Sequence, residues 1–285
     1  MDIAVLSDIH GNHTAFRACL DYAFAHHIDT FIFLGDYLGE FAYPQKTMEM
    51  LYDLQAKYTC YFVKGNKEDY WINRHYDRNC DWKDGNLTVG AMLYCYANQT
   101  RRDIDFFDSL SPSLEITLDG AAPLLACHGS PRSNVEKMMP GKENTREILE
   151  ACACEYILCG HTHLRNVMTY GNKIAVNPGA VGVPMYTGGK TQFMILHQNG
   201  PAWSHEFATL EYDRKQALLE LQESGLADCA PYWTQITRHL ICTGKVAHGE
   251  VITRAMDLCI AENGSGQWHA IPEKYWQQAI RELLV

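Results

Sequence analysis

Long apolar runs are missing from this chain. No stretch approaches the roughly 20 residues that a membrane-spanning helix needs, and the first apolar run, Ile3 to Leu6, is only a strand's length. With no secretory leader ahead of Met1-Asp2, the expectation is a cytoplasmic protein that uses no membrane. Positive charge is also scarce. The 24 Lys and Arg stand against 34 Asp and Glu, a net charge of −10. A general binder of nucleic-acid polymer needs a basic surface for phosphate contacts, so that class is disfavoured, although a local basic site is compatible with the balance. Cysteine pairs with the spacing of structural zinc sites are missing too. Eleven cysteines are scattered along the chain, an odd number, and they read as reduced thiols. Cys152 and Cys154 form a Cys-x-Cys pair within an expected helix. Structural zinc sites usually use pairs two to four residues apart, so these two are read as packing side chains. Internal repeats and low-complexity segments are absent.

What is present is an ordinary globular composition, 47% hydrophobic and 20% charged, over 285 residues. That is long enough to bury a proper core. The first third alternates short apolar strands with helices. Asp2 to Ser7 reads as a strand, and Asn12 or Thr14 can cap a helix to about His26 with Phe16, Cys19, Leu20 and Ala23 at helical spacing. Thr30 to Leu34 is a second strand. Pro44 starts a helix through about Lys57, with Met48, Leu51, Tyr52 and Leu54 inward, and Thr59 to Val63 is a third strand. This rhythm argues for a layered α/β fold. Glu68 to about Leu110, rich in Tyr, Trp and Asp, reads as helices and loops. Three hairpins follow from their turns: Asp119-Gly120, Gly171-Asn172 and Asn199-Gly200. Between the first two, Thr145 to Ala153 reads as a helix and Tyr156 to Cys159 as a buried strand. After about Leu210 the pattern is helical over Tyr212 to Ser224, Tyr232 to Cys242, Glu250 to Ala261 and Glu273 to Leu284, punctuated by Gly225, Gly244, Gly264 and Pro272. The expected division is a domain at 1–208 and a helical extension at 209–285.

Several of these strands end in metal-ligand residue types. Asp8 and His10 follow the first, Asp36 the second and Asn66 the third. His128 follows Pro123 to Cys127, and His161 and His163 follow Tyr156 to Cys159. In layered α/β folds, sites form at the carboxyl ends of strands, so two aspartates, an asparagine and four histidines are delivered to one edge. Mixed carboxylate and imidazole ligands suit Mn, Fe, Zn or Ni. Seven ligands are too many for one ion and reasonable for two, which can together orient a phosphate and activate a shared water. Asp36, with two oxygens, is suited to bridging. Gly11, Gly35, Gly65, Gly129 and Gly160 each adjoin a proposed ligand and allow sharp turns.

At this point a resemblance becomes specific. Ser7-Asp8-Ile9-His10-Gly11-Asn12 resembles the first motif of the calcineurin-like metallophosphoesterases. Gly35-Asp36 resembles the second, Gly65-Asn66 the third, His128-Gly129 the fourth and Gly160-His161-Thr162-His163 the fifth. Any one alone is weak; all five in order, over about residues 2–205, are a strong signal. Asn177-Pro178-Gly179-Ala180-Val181-Gly182 is similar to a block of the bacterial phosphodiesterase-like branch. The resemblance implies a four-layer αββα sandwich of two mixed β-sheets, here with a C-terminal helical appendage. It implies one ion held by Asp8, His10, Asp36 and His163, and a second held by Asp36, Asn66, His128 and His161. Mn and Fe are the best-fitting metals, Zn or Ni alternatives. It further implies hydrolysis at phosphorus by a metal-bound hydroxide, with Asp36, Asn66, Lys67 and His128 as the catalytic set.

One departure matters. The third motif usually continues with His, and here it reads Gly65-Asn66-Lys67-Glu68. Lys67 is no ready proton donor at a pKa near 10.4, but it can hold phosphate as a point charge. A second departure, Leu38-Gly39 where many members carry a further acid, casts little doubt on Asp36. Tyr37, Tyr70, Trp71 and Trp82 are candidates either for stacking on a nucleobase or for the core. Arg101-Arg102 read as a solvated helix face rather than a substrate clamp. The remaining histidines, among them His248, read as surface or helix-packing residues. The expected function is hydrolysis of phosphomono- or phosphodiesters of a small phosphorylated substrate, a nucleotide among the candidates. The alternatives are an asymmetrical dinucleoside tetraphosphate hydrolase, a serine/threonine protein phosphatase, a nuclease, and a non-catalytic metal-bound binding subunit. A lid or the surface of a homo-oligomer is the alternative to plain packing for the C-terminal helices.

Overall fold

The first strand, β1 (Asp2–Leu6), places Ile3 and Val5 on one face and Ala4 and Leu6 on the other, all fully buried. A strand apolar on both faces has to lie between two layers. The computed structural model, which describes residues 1–78 and 80–284, shows this arrangement. β1 pairs in parallel with β2 (Thr30–Phe33), which pairs in parallel with β3 (Thr59–Phe62). On its other side β1 pairs antiparallel with β9 (Thr191–Asn199), and β9 with β10 (Ala202–Leu210). The order is β10-β9-β1-β2-β3. A second mixed sheet runs β4-β5-β6-β8-β7. Its strands are β4 (Ser113–Ile116), β5 (Leu124–Cys127), β6 (Tyr156–Leu158), β7 (Asn166–Tyr170) and β8 (Lys173–Asn177).

The sheets face each other across one apolar layer of Ile3, Val5, Ile32, Leu34, Leu124, Ala126, Leu158, Val176, Met194 and Leu196. The alternate residues point outward. From the first sheet, Ala4, Leu6, Phe31, Phe33, Phe193 and Ile195 meet α1 (His13–Ala25) and α2 (Pro44–Lys57). From the second, Cys127, Ile157, Cys159 and Ala175 meet α6 (Glu143–Ala151) through Ile148 and Leu149. The fold is therefore the expected four-layer αββα sandwich.

Between β3 and β4 run α3 (Asn66–His75), a 3-10 turn at Leu87–Val89, α4 (Gly90–Ala97) and α5 (Arg101–Ser109). After β10 come α7 (Arg214–Glu223), α8 (Leu226–Cys229), α9 (Pro231–Thr243), α10 (His248–Asn263) and α11 (Glu273–Leu283). These C-terminal helices share a buried cluster with the first sheet's outer face: Trp233, Ile236, Trp276 and Ala279 join Phe16, Phe33 and Trp71. Val285, the last residue of the extension expected from the sequence, lies outside the described residues. Among the described residues no helix is long and apolar enough to cross a membrane.

One local expectation changes, the open choice for the buried aromatics resolves to the core, and the two arginines lie on the expected exposed helix face. Helix α6 ends at Ala151, with Cys152 as an extended C-cap, so Cys152 and Cys154 lie beyond the helix. The Cys152 geometry ends the helix two residues before the sequence pattern does. Tyr37, Trp71 and Trp82 are buried in the core rather than presented to a ligand. Arg101 pairs with Asp105 on an exposed face, and Arg102 stacks over the Tyr52 ring at 3.6 Å.

Candidate metal centre

Five of the seven ligand candidates sit on sharp corners past strands, while His128 directly follows β5 and Asn66 opens α3. Asp8, His10, Asp36, His161 and His163 all hold positive φ, between 52° and 64°. Asp and His tolerate this left-handed region better than most side chains, but it still costs about 1 kcal/mol or more apiece. Main-chain bonds lock the corners together. Asp8 N–H donates to the Gly35 carbonyl at 3.1 Å, His10 N–H to Asp36 at 2.9 Å and Gly182 N–H to Asp8 at 2.9 Å. Two glycines allow the approach. Gly35 has φ +91°, and a Cβ there would sit 2.5 Å from the Gly65 nitrogen. A Cβ on Gly65 would run into the Asp36 carboxylate.

All seven residues come together. His163 Nε2 lies 3.3 Å from Asp8 Oδ1, and His10 Nε2 lies 3.8 Å from the same oxygen and 3.5 Å from Asp36 Oδ2. On the other side of Asp36, His128 Nε2 lies 3.5 Å from Oδ1 and 3.1 Å from Asn66 Oδ1. The His161 ring centroid is 5.1 Å from that of His128, and its backbone N–H donates to Asp8 Oδ2 at 3.1 Å. Two clusters result, Asp8–His10–His163 and Asp8–Asp36–His128, each with ligand atoms close enough to share an ion and with Asp8 common to both; Asp36 also reaches His10 in the first.

The donor set fits metal ions. His128 Nδ1 donates to the Leu34 carbonyl at 2.7 Å. In the neutral form of that tautomer Nε2 carries a lone pair that faces the Asn66 and Asp36 oxygens, three acceptor atoms that a cation, or in its absence a proton on Nε2, would satisfy. Asp8 Oδ1 and His10 Nε2 are buried with no hydrogen-bond partner, a costly arrangement that a cation relieves. Charge points the same way. Asp8, Asp36, Glu40 and Glu68 are four buried carboxyl groups, and Lys67 supplies one buried ammonium.

Without a cation, the buried carboxylates draw protons onto two of the imidazoles instead. Burial works against charge on His10, yet Glu40, Asp8 and Asp36 raise its pKa to about 10. Burial likewise opposes charge on His128, and Asp36 and Asp8 raise its pKa. Asp8, despite its burial, is held well below the usual carboxylate range by His163 and His10. His161 goes the other way, lowered to about 4 by burial and by His128, and stays neutral as a ligand must.

Several residues that shape the site were not singled out by the sequence reading. Glu40 Oε2 accepts from His10 Nδ1 at 2.6 Å, and its other oxygen pairs with the Lys67 ammonium. Glu68 accepts three backbone N–H groups, those of Asp36, Tyr37 and Gly65 at 2.9, 2.9 and 2.7 Å, and so ties the second and third motifs together. Burial and Asp36 raise the Glu68 pKa to about 7. Ser7 Oγ donates to Asp8 Oδ2 at 2.5 Å. Asn177 Nδ2 donates to the Gly160 carbonyl at 2.7 Å and steadies the fifth motif. The visible signals were an acid inside the apolar run Tyr37–Ala42 and an asparagine opening the Asn177–Gly182 block. Lys67 itself donates its backbone N–H to Asp36 Oδ1 at 2.8 Å.

A model of the calcineurin-like phosphoesterase superfamily domain matches residues 1–200. The chain belongs to this superfamily of metal-dependent phosphoesterases. It is 26% identical over 243 residues to the uncharacterized protein MJ0912 of Methanocaldococcus jannaschii, over 79% of this chain and 94% of that one. The fold is shared with the hypothetical protein PH1004 of Pyrococcus horikoshii, with TM-score 0.72 at 18% identity, covering 86% of this chain and 99% of that one. It is also shared with a metallophosphoesterase of Sphaerobacter thermophilus, with TM-score 0.67 at 21% identity over 86% and 100%.

Proposed function

We propose that this protein is a dinuclear metal-dependent hydrolase of phosphomono- or phosphodiesters of small molecules, nucleotides among them. The observation that carries the reading is the convergence of seven candidate ligands around Asp8 and Asp36, with Asp8 Oδ1 and His10 Nε2 left unpartnered, from segments that follow five strands of both sheets. Asp8, His10, Asp36 and His163 would hold one ion, and Asp36, Asn66, His128 and His161 the other. Mn and Fe suit this mixture of carboxylate and imidazole, with Zn and Ni as alternatives. Two ions there supply charge for the phosphate oxygens and lower the pKa of a water.

The protein's own contribution is orientation. The Leu34 carbonyl takes the Nδ1 proton of His128 and turns Nε2 into the site. Glu40 does the same for His10. His161 and His163 are half-buried while Asp8, Asp36 and His128 are buried, so a substrate phosphate approaches from the fifth-motif side. We read residues 209–285 as an extension added to a catalytic sandwich at 1–208. We also place the protein in the cytoplasm, where a reducing compartment keeps its eleven thiols unpaired.

The test is hydrolysis of p-nitrophenyl phosphate, bis-p-nitrophenyl phosphate and diadenosine tetraphosphate by metal-stripped protein before and after Mn reloading. Turnover that needs Mn and disappears in His128→Ala supports the reading, and the preferred substrate assigns the subclass. Two bound metals with no turnover of any of the three would point to a binding role instead.

A further inference from the structure

We propose that Lys67 and Glu40 together form a positioning unit for the metal-binding imidazole of His10, so that Lys67 acts through Glu40 and not on substrate phosphate. The proposal rests on the preceding reading that His10 is a metal ligand. One carboxylate serves two partners, one on each oxygen. Oε2 takes the Nδ1 proton of His10 at 2.6 Å, and Oε1 takes the Lys67 ammonium. With Nδ1 held, His10 Nε2 is directed between Asp8 Oδ1 and Asp36 Oδ2, at 3.8 and 3.5 Å. An imidazole that donates its second nitrogen to a carboxylate is fixed in tautomer and ring orientation, and becomes a better ligand.

The surroundings of Lys67 argue against a free charge waiting for phosphate. The side chain is 10% exposed and Glu40 is 2% exposed. Beyond Glu40, the ammonium meets Met92 Sδ at 3.8 Å and the Tyr70 and Trp233 ring faces, each at 5.9 Å. An ammonium balanced by a buried carboxylate and boxed by a sulfur and two aromatic rings has little net attraction left for an anion.

The box is built from three distant parts of the chain. Glu40 follows β2, Lys67 lies in the first turn of α3 and Trp233 comes from α9 in the C-terminal helices. Trp233 is itself immobilised. Its indole N–H donates to the Thr88 carbonyl at 2.8 Å, and its ring stacks on His248 with centroids 5.5 Å apart. His248 Nε2 in turn meets Thr237 Oγ1 at 2.8 Å. The C-terminal helices therefore reach the metal centre through Trp233, Lys67 and Glu40, ending on His10.

The experiment measures Mn affinity at both sites of the full chain by equilibrium dialysis, then inorganic phosphate binding to the Mn-saturated protein. It compares wild type, Glu40→Gln, Lys67→Met and the double variant. The expected result is a roughly ten- to hundredfold loss of affinity at one Mn site in each single variant. The double variant should be no worse than the weaker single, because both changes act on one unit. Phosphate affinity at saturating Mn should stay within about twofold in Lys67→Met, a small shift on the free-energy scale. Unchanged Mn affinities in the variants would overturn the proposal, as would a tenfold loss of phosphate affinity in Lys67→Met with both sites filled. If a single variant does not fold, the double variant, which removes both charges at once, carries the same test through its Mn affinity. Wild-type protein that binds no Mn would overturn the metal-centre reading itself; wild type with two Mn and unaffected variants would overturn only this inference.

Discussion

Along the edge that carries the candidate ligands, positive φ falls not only on Gly11 and Gly35 but on Asp8, His10, Asp36, His161 and His163. In the helices beyond Leu210, it falls on Gly225, Gly244 and Gly264, two of them helix C-caps, with Val246 the exception. The first region adopts strained backbone where chemistry needs a side chain on the corner. The second gives the same backbone to residues for which it is nearly free. Their interiors differ in the same sense. The edge buries Asp8, Asp36, Glu40 and Glu68, whereas the helices bury Trp233, Ile236, Leu240, Trp276 and Ala279. One region concentrates buried charge at a cost to stability, and the other adds apolar burial that offsets it.

Three substitutions sharpen this contrast. The largest effect belongs to Asp36→Asn, which removes a shared carboxylate from the edge. Turnover of the preferred substrate should fall about ten-thousandfold, roughly 5.5 kcal/mol. The metal-free variant should nevertheless melt no lower than metal-free wild type, since a buried charge has gone. A clear drop in melting temperature would show that the edge contributes stability even without metal. Next comes Trp276→Ala in α11, whose side chain is fully buried. It should lose about 3–5 kcal/mol of stability in denaturant titration, with kcat per folded molecule unchanged. A large fall in kcat would tie the helices to the chemistry more tightly than packing does.

The smallest effect is a pH dependence. Burial, with Lys67 adding to it, lowers the His248 pKa to about 4, although Glu40 opposes the shift. The folded state therefore favours the neutral ring, whose ordinary pKa is about 6.5. This contribution is complete above pH 6.5 and is lost as pH falls from 6.5 to 4, amounting to at most roughly 3 kcal/mol. His248→Gln should flatten the acid limb of a stability profile over that window. An unchanged limb would assign acid sensitivity to the carboxylates of the ligand edge instead.

Much of this was legible because it is local. Asp119-Gly120, Gly171-Asn172 and Asn199-Gly200 announce their turns, and Pro44 and Lys57 bound α2 as expected. The five motifs could be aligned because each ligand lies within a few residues of its strand. What escaped is non-local. Glu40 is 30 residues from His10 and 27 from Lys67, so no spacing rule links them. Trp233 lies among helix-periodic residues whose pattern says only that a side is buried, not that it is buried against Lys67. Past the helix end at Ala151, the Cys152, Ala153 and Cys154 carbonyls accept from the Lys173 ammonium about 20 residues on, and neither Cys152 nor Cys154 carries a signal that stops a helix.

The corners at Asp8, His10 and Asp36 are closed largely by hydrogen bonds among backbone atoms, and the Asp8 and Asp36 carboxylates add bonds to the His161 and Lys67 N–H groups. Gly160 N–H, for instance, donates to the His128 carbonyl at 2.6 Å, and Val181 N–H to the Ser7 carbonyl at 2.9 Å. The imidazoles are thus fittings on the frame, whereas the two carboxylates are part of it. A protein engineer could exchange the imidazoles of His128 and His163, which no backbone N–H uses, at less cost to the main chain than Asp8 or Asp36, whereas a single methyl group on Gly65 would reach the frame itself.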